Sequence, residues 1–324
     1  MKNTYKLGVF FKTLFTKILR RLSENLETVR FLCSHNPVLL NGWFIYKFNT
    51  LECRNYGDEL NINMLKEFLP KKKLFNMADI CEWGRKNKIN YIVIGSMIEH
   101  STSKSIIWGA GAIEGGERKL KSSPLDIKAV RGSLTRDYLL KNMIDCPEIY
   151  GDPALLIPLV YNQEVPMKHE LGIIPHVSEI NHPEVNRLQQ LGVHVIRFDK
   201  YEHWHNVIDE IRSCRNIVSS SLHGLILSDA YSVPNGWIAL SDNLLGGHFK
   251  FLDYFSSVQR DQLIPLIINE NTTKKDLLNY VSKWRPIIFD PLPLIESAPW
   301  VLNIDTKNLY SLKVYTKSNV DNCK

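Results

Sequence analysis

Asn216-Ile217-Val218-Ser219-Ser220-Ser221-Leu222-His223-Gly224-Leu225-Ile226-Leu227-Ser228-Asp229-Ala230-Tyr231 is the stretch that decides the fold. A short apolar, β-branched run over 216–219 reads as a buried strand. It passes through three serines into a helix over 223–231. Three hydroxyls and a histidine then stand at a helix N-terminus, where free backbone N–H groups and the helix dipole favour anions. Taken alone, His223 serves equally well as a capping or a core histidine.

The same handover recurs on both sides of this stretch. Strands are expected at 43–48, 91–95, 105–108, 127–130, 171–175, 193–198 and 236–240. Helices are expected at 58–69, 132–142, 183–191, 203–213 and 274–284. In the first of these, Leu60, Met64, Leu65 and Phe68 share one face. Strands alternating with helices imply parallel sheets covered on both sides, an α/β fold. The stretch 159–170 has weak periodicity and contains Pro166, so it divides the chain. The expected organisation is a basic amphipathic helix (1–36), an α/β domain (37–162), a second α/β domain (163–290) and a tail (291–324). Two Rossmann-like domains of this kind would face a central cleft lined by strand C-termini and helix N-termini. No internal repeat is visible in the text.

In the N-terminal helix, expected over 5–32, Phe11, Leu14, Phe15, Ile18, Leu22 and Val29 follow helical spacing among lysines and arginines. It suits either a membrane surface or the body of the protein. Lys12, Lys17, Arg20 and Arg21 interrupt every apolar run there, so no signal-peptide core is present. No run of eighteen apolar residues could span a bilayer. The net charge of +6 fits anionic small molecules or anionic lipid and is too small to argue for nucleic acid. The six scattered cysteines, with no C-x-x-C pair, point to a reducing cytoplasm.

Three further loops place polar groups after a strand. Asn55-Tyr56-Gly57-Asp58 opens a helix, with Asp58 able to act as its N-cap. Trp108-Gly109-Ala110-Gly111 begins like a dinucleotide loop, but Glu114 stands where the third glycine belongs and would repel a pyrophosphate. Val130-Arg131-Gly132-Ser133-Leu134-Thr135-Arg136 runs strand into helix, with Ser133 as a candidate cap. An arginine fork at that strand end suits a phosphate or carboxylate. Arg136, a turn further on, suits solvent or an ion pair. There is no D-x-D, no G-x-S-x-G elbow and no complete P-loop, and His203-Trp204-His205 is the only metal-like spacing. No metal is expected.

Together these segments resemble the polysaccharide pyruvyl transferase family. The resemblance rests on Asn55-Tyr56-Gly57-Asp58-Glu59-Leu60-Asn61, Ile94-Gly95-Ser96, Trp108-Gly109-Ala110-Gly111, Val130 to Arg136 and Gly151-Asp152-Pro153-Ala154. It continues through Ile174-Pro175-His176, Ser219 to Gly224, Asp229-Ala230-Tyr231, Pro234 and Gly246 to Phe255. These matches follow family order over roughly residues 42 to 265. The resemblance implies a fold like that of B-type (GT-B) glycosyltransferases. It implies phosphoenolpyruvate as donor, and a hexose acceptor in a surface polysaccharide or its lipid-linked precursor. The product would be a cyclic pyruvate ketal, formed at the cytoplasmic face of a membrane. No cofactor beyond the donor substrate is called for.

Such chemistry needs a general acid to protonate C3 of the donor, a base for the acceptor hydroxyl, and cations for two anionic groups. Arg131 is the expected donor clamp. His223 is the expected proton donor, and a neighbouring phosphate would have to keep it protonated at a helix N-terminus. Asp58 is the expected base, and Asp152 is a weaker candidate within its Gly-Asp-Pro turn. Ser220, Ser221 and Lys250 are expected to contact the donor, with Asn55, Gly109, Gly111, Arg136 and His176 completing the substrate-binding set. A sugar-nucleotide-dependent glycosyltransferase of the same fold and a non-catalytic anion-binding protein are the competing readings.

Overall fold

The computed structural model describes residues 2–42, 46–47, 50–51, 55–116, 119–241, 247–304 and 309, with side chains in the first helix from residue 14 onward. Helix α1 (Lys2–Leu32) leads into strand β1 (Val38–Leu40) and a two-residue antiparallel pair, β2 (Tyr46–Lys47) and β3 (Thr50–Leu51). Then follow α2 (Tyr56–Phe68), β4 (Leu74–Asn76), α3 (Glu82–Arg85), β5 (Asn90–Ile92), β6 (Ser105–Trp108), β7 (Asp126–Ala129) and α4 (Ser133–Lys141). The second half comprises β8 (Gly172–Ile174), α5 (Pro183–Gln190), β9 (His194–Val195), α6 (Trp204–Arg212), β10 (Ile217–Ser219) and α7 (Leu222–Ala230). It ends with β11 (Asn235–Ala239), α8 (Phe249–Ser257), β12 (Leu266–Ile267), α9 (Lys274–Val281) and α10 (Pro291–Glu296).

The strands form two parallel five-stranded sheets, ordered β4-β1-β5-β6-β7 and β12-β11-β10-β8-β9. Numbered along the chain within each sheet, both orders read 2-1-3-4-5. Each sheet therefore reverses direction once, between its first and third strands. At that point successive connections leave on opposite faces and open a crevice beyond the strand C-termini. In the first sheet the crevice lies beyond β1 and β5, and in the second beyond β8 and β10. This is a mixed α/β architecture consistent with two Rossmann-like domains. The shared strand order is a structural repetition that the residues themselves do not display.

Helix α2 forms because Leu60, Met64, Leu65 and Phe68 build one apolar face, and all four are buried. Helix α7 is buried along its whole length, as an apolar helix without a polar face must be. Burying Leu225, Ile226 and Leu227 contributes roughly 1.5–3 kcal/mol each relative to leaving them in water. One apolar cluster runs through α2, α7 and α8 and ties the helices of both sheets together.

The first parallel strand sits at 38–40 rather than at 43–48. Trp43 to Ile45 and Phe48 lie outside the described residues, and Tyr46–Lys47 pairs antiparallel with Thr50–Leu51. The segment expected as a tail returns to the first sheet over residues 290–304. Leu294 is fully buried, its carbonyl accepts from Trp108 Nε1 at 2.9 Å, and the backbone N–H of Asn303 donates to the Phe68 carbonyl. Among the described residues no helix is long and apolar enough to cross a membrane.

Candidate active site between the two sheets

The crevice of the first sheet is furnished by the start of α2. Asn55 occupies the capping position and Asp58 the third helical residue, so Asp58 is not the cap. Its carboxylate instead accepts from Asn55 Nδ2 at 2.9 Å, while Asn61 bonds both the N–H and the carbonyl of Ile94. That bracket fixes α2 to the chain leaving β5. Burial pushes the Asp58 carboxyl up to about 7 against the Asn55 hydrogen bond and the charge of Lys250, with Glu59 adding a smaller upward push.

The crevice of the second sheet is furnished by the chain leaving β8 and β10. Ser219 spends its hydroxyl on the Ile174 and Ser221 carbonyls, holding the turn. Ser220 donates to Glu179 at 2.7 Å and accepts from the His176 backbone N–H at 3.0 Å. Ser221 is the N-cap residue of α7 and makes no side-chain cap bond. His223 follows on the first turn. Its Nδ1 faces α2 so closely that a Cβ on Gly57 would sit 2.1 Å away, so glycine is required for α2 to approach the ring. The two crevices thus meet at Gly57 and His223.

On its other side, His223 Nε2 lies 3.8 Å from Asp152 Oδ2. Both atoms are buried and neither has a hydrogen-bond partner. Buried polar atoms are normally satisfied, so this close pair stands out among the buried polar groups of the site. Asp152 uses its other oxygen to accept from the Ala154 N–H at 2.9 Å, capping the 3-10 turn at Pro153–Leu159. Burial raises the Asp152 carboxyl to about 7 despite the Ala154 bond and Arg131. Burial, then the charges of Arg131, Lys250 and His176, lower His223 to about 3. His176 falls to about 4 through burial and Lys250, and its Nδ1 is paired with the Ser178 hydroxyl. Lys250, on the first turn of α8, is buried and lowered to about 8 by desolvation and Arg131, opposed by Asp58 and Glu179. At neutral pH His176 and His223 are uncharged, and burial favours the protonated form of both aspartates.

Arg131 is placed differently from a free clamp. It is fully buried, and three of its five N–H donors are committed, to Asp253 Oδ2 at 2.9 Å, Ser96 Oγ at 2.6 Å and the Ala112 carbonyl at 2.8 Å. Asp253 also accepts from the Thr135 N–H and hydroxyl, both at 2.7 Å. The anion at the N-terminus of α4 is thus the protein's own carboxylate, delivered by α8. Gly132, not Ser133, holds the capping position, and a Cβ there would lie 1.7 Å from the Asp253 carbonyl. The space beside Gly109 is filled by Pro153 and that beside Gly111 by the Arg131 guanidinium. Arg136 reaches away to Glu148 at 3.1 Å and the Cys146 carbonyl at 3.0 Å, outside the cluster. Among the described residues no group of histidines, cysteines and acids is set to hold a metal ion. Asp253 and Glu179 were given no role from sequence, since their partners lie scores of residues away and no local spacing signals them.

Residues 50–242 match the sequence profile described as "Polysaccharide pyruvyl transferase". The chain belongs to this family. Within the family match lie Asp58, Arg131, Asp152, His176, Ser220 and His223, while Lys250 and Asp253 follow it on α8. The chain is also similar to Uncharacterized protein L143 of Acanthamoeba polyphaga mimivirus, with 27% identity over 235 residues, covering 70% of this chain and 80% of that protein. Among solved structures it is similar to a functionally uncharacterized protein, KP1_0663, of Klebsiella pneumoniae, at TM-score 0.41 and 13% identity, covering 78% of this chain and 98% of that one.

Proposed function

We propose that this member of the family moves the pyruvyl group of phosphoenolpyruvate onto a hexose of a surface polysaccharide or its lipid-linked precursor. The product is a cyclic ketal and the leaving group is phosphate. The observation that carries the proposal is the unpartnered pair His223 Nε2 and Asp152 Oδ2, set in a cleft that also holds Asp58 and Lys250. The two facing sheets suit the GT-B arrangement that the family resemblance implies. A lipid-linked acceptor would be met at the cytoplasmic face of a membrane.

Phosphoenolpyruvate brings a phosphate and a carboxylate. Lys250 and the first turns of α7 and α8 receive them, with the Ser221 hydroxyl beside them. Arg131 contributes its charge from within the protein. Donor charge next to His223 reverses the cationic influence that holds its pKa down, so the ring takes up a proton when the donor binds. His223 then protonates C3 of the enol, and C2 becomes electrophilic. Asp58, ionised above about pH 7, accepts the proton of the first acceptor hydroxyl as its oxygen bonds to C2. The C2–O bond to phosphate breaks, the second hydroxyl closes on C2, and its proton leaves with the phosphate. Asp152 faces the histidine and stabilises its protonated form.

Incubation with phosphoenolpyruvate and candidate hexose acceptors tests this reading. Phosphate release matched by an acceptor gaining the mass of pyruvate minus water is expected. Release of a nucleoside diphosphate from a sugar nucleotide instead, or donor binding without turnover on any acceptor, would point to the competing functions.

A further inference from the structure

Helix α1 packs on the body through its C-terminal third. The Cys81 N–H donates to Thr28 Oγ1 at 2.8 Å, Thr28 also fills the space above Gly84, and the rings of Phe31 and Phe75 meet edge-on at 5.4 Å. Along another face, Phe15 is 63%, Leu22 60% and Leu26 62% exposed, with Ile18 and Val29 about half exposed. At 3.6 residues per turn these five side chains fall within an arc of about 80°. Single exposed apolar residues are ordinary, but a continuous stripe of them marks a surface that something covers.

Charge says what that something is. Residues 1–23 contain Lys2, Lys6, Lys12, Lys17, Arg20 and Arg21 and no acid. The whole chain has 40 basic and 34 acidic residues, so after these six are removed the remainder balances at 34 against 34. The entire net charge of the protein therefore sits on the first two-thirds of this helix. The first acids, Glu24 and Glu27, lie on the side away from the stripe and are held by Arg20 and Arg30. Arg21 lies beyond one edge of the stripe, whereas Lys17 shares the far face with Glu24. Self-association through the stripe would set two such cationic helices against each other. An anionic lipid surface takes both features, with the apolar arc at the acyl boundary and the cations among the headgroup phosphates.

We propose that α1 lies along an anionic lipid surface, with Phe15, Ile18, Leu22 and Leu26 inserted and Arg21 on lipid phosphates. The inference stands on α1 alone and does not depend on the reaction. Full-length protein is sedimented with vesicles of phosphatidylcholine, with or without phosphatidylglycerol. Binding is expected to need phosphatidylglycerol and to weaken as salt is added. Arg21→Gln should lower partitioning about fivefold, since a basic residue near such a surface adds about 1 kcal/mol. Ile18→Asp with Leu22→Asp should abolish binding while the thermal transition stays unchanged, because both side chains are exposed. Failure to bind phosphatidylglycerol vesicles, or binding indifferent to both variants, overturns the proposal. So does a dimer that ignores vesicles and dissociates on Ile18→Asp with Leu22→Asp, since a second copy would then be what covers the stripe.

Discussion

Asp253→Ala tests whether the anion site at the start of α4 belongs to the fold. The carboxylate accepts one bond from Arg131 and two from Thr135, and both charges are fully buried. Removing it leaves a guanidinium uncompensated in the interior, which costs roughly 3–5 kcal/mol. For a chain of 324 residues unfolding as one unit, an unfolding entropy of about 2.1 cal/mol/K per residue converts this to a fall in Tm of roughly 4–7 °C. Arg131→Met alone should cost a similar amount by stranding Asp253. The double variant Arg131→Met with Asp253→Leu should recover much of the loss, because an apolar pair restores neutrality. Calorimetry and urea unfolding of the four proteins complete the cycle. Additive losses, or an Asp253→Ala protein within 1 °C of the parent, would refute the pairing as the reason these residues are here. The same geometry makes Arg131→Lys a change of stability as well as of donor binding, since an ammonium cannot supply three bonds in the fork's directions.

Three further outcomes follow from the cleft. Asp58→Asn should cut turnover roughly 100-fold with little change in phosphoenolpyruvate binding, and the parent's rate should fall as pH drops below about 7, where this carboxyl takes up a proton. Gly57→Ala, a change that favours an ordinary helix by about 1 kcal/mol, should here displace the His223 ring and lower the rate more than tenfold with the fold retained. Asp152→Asn keeps the cap on Ala154 but removes a carboxyl raised from 3.8 to about 7. The folded parent binds that proton more tightly than the unfolded chain, so its advantage is present below about pH 4 and lost as pH rises through 7. Urea titrations at several pH values should show a smaller loss for the variant across this range.

The alternation of strands and helices was plain from sequence because each buried strand is a short β-branched run and each helix has an apolar face, as in Leu60, Met64, Leu65 and Phe68. The strand at Val38–Leu40 escaped notice, since three residues carry no period and the aromatic run after it drew the assignment. Asp58 and His223 could be singled out because each stands at the start of an expected helix beside polar neighbours, and Lys250 as a cation within the resembling run Gly246 to Phe255. The Arg131–Asp253 pair could not be read, because it joins residues on α8 and at the end of β7 that only the packing of α4 on α8 brings together. Nor could the contact of Gly57 with His223, where a glycine inside a helix looked like turn chemistry. The apolar stripe of α1 was visible as periodicity, but whether the body covered it depended on where the helix lies.

In the proposed reaction, donor charge protonates His223, which burial keeps neutral where α2 and α7 meet. Titration calorimetry with phosphoenolpyruvate, run at pH 7.5 in buffers of different ionisation enthalpy, counts the protons taken up on binding. The parent protein should bind with proton uptake, and His223→Gln should take up about one proton fewer per donor bound. Equal uptake by the two proteins, or no binding of phosphoenolpyruvate by the parent, would contradict it.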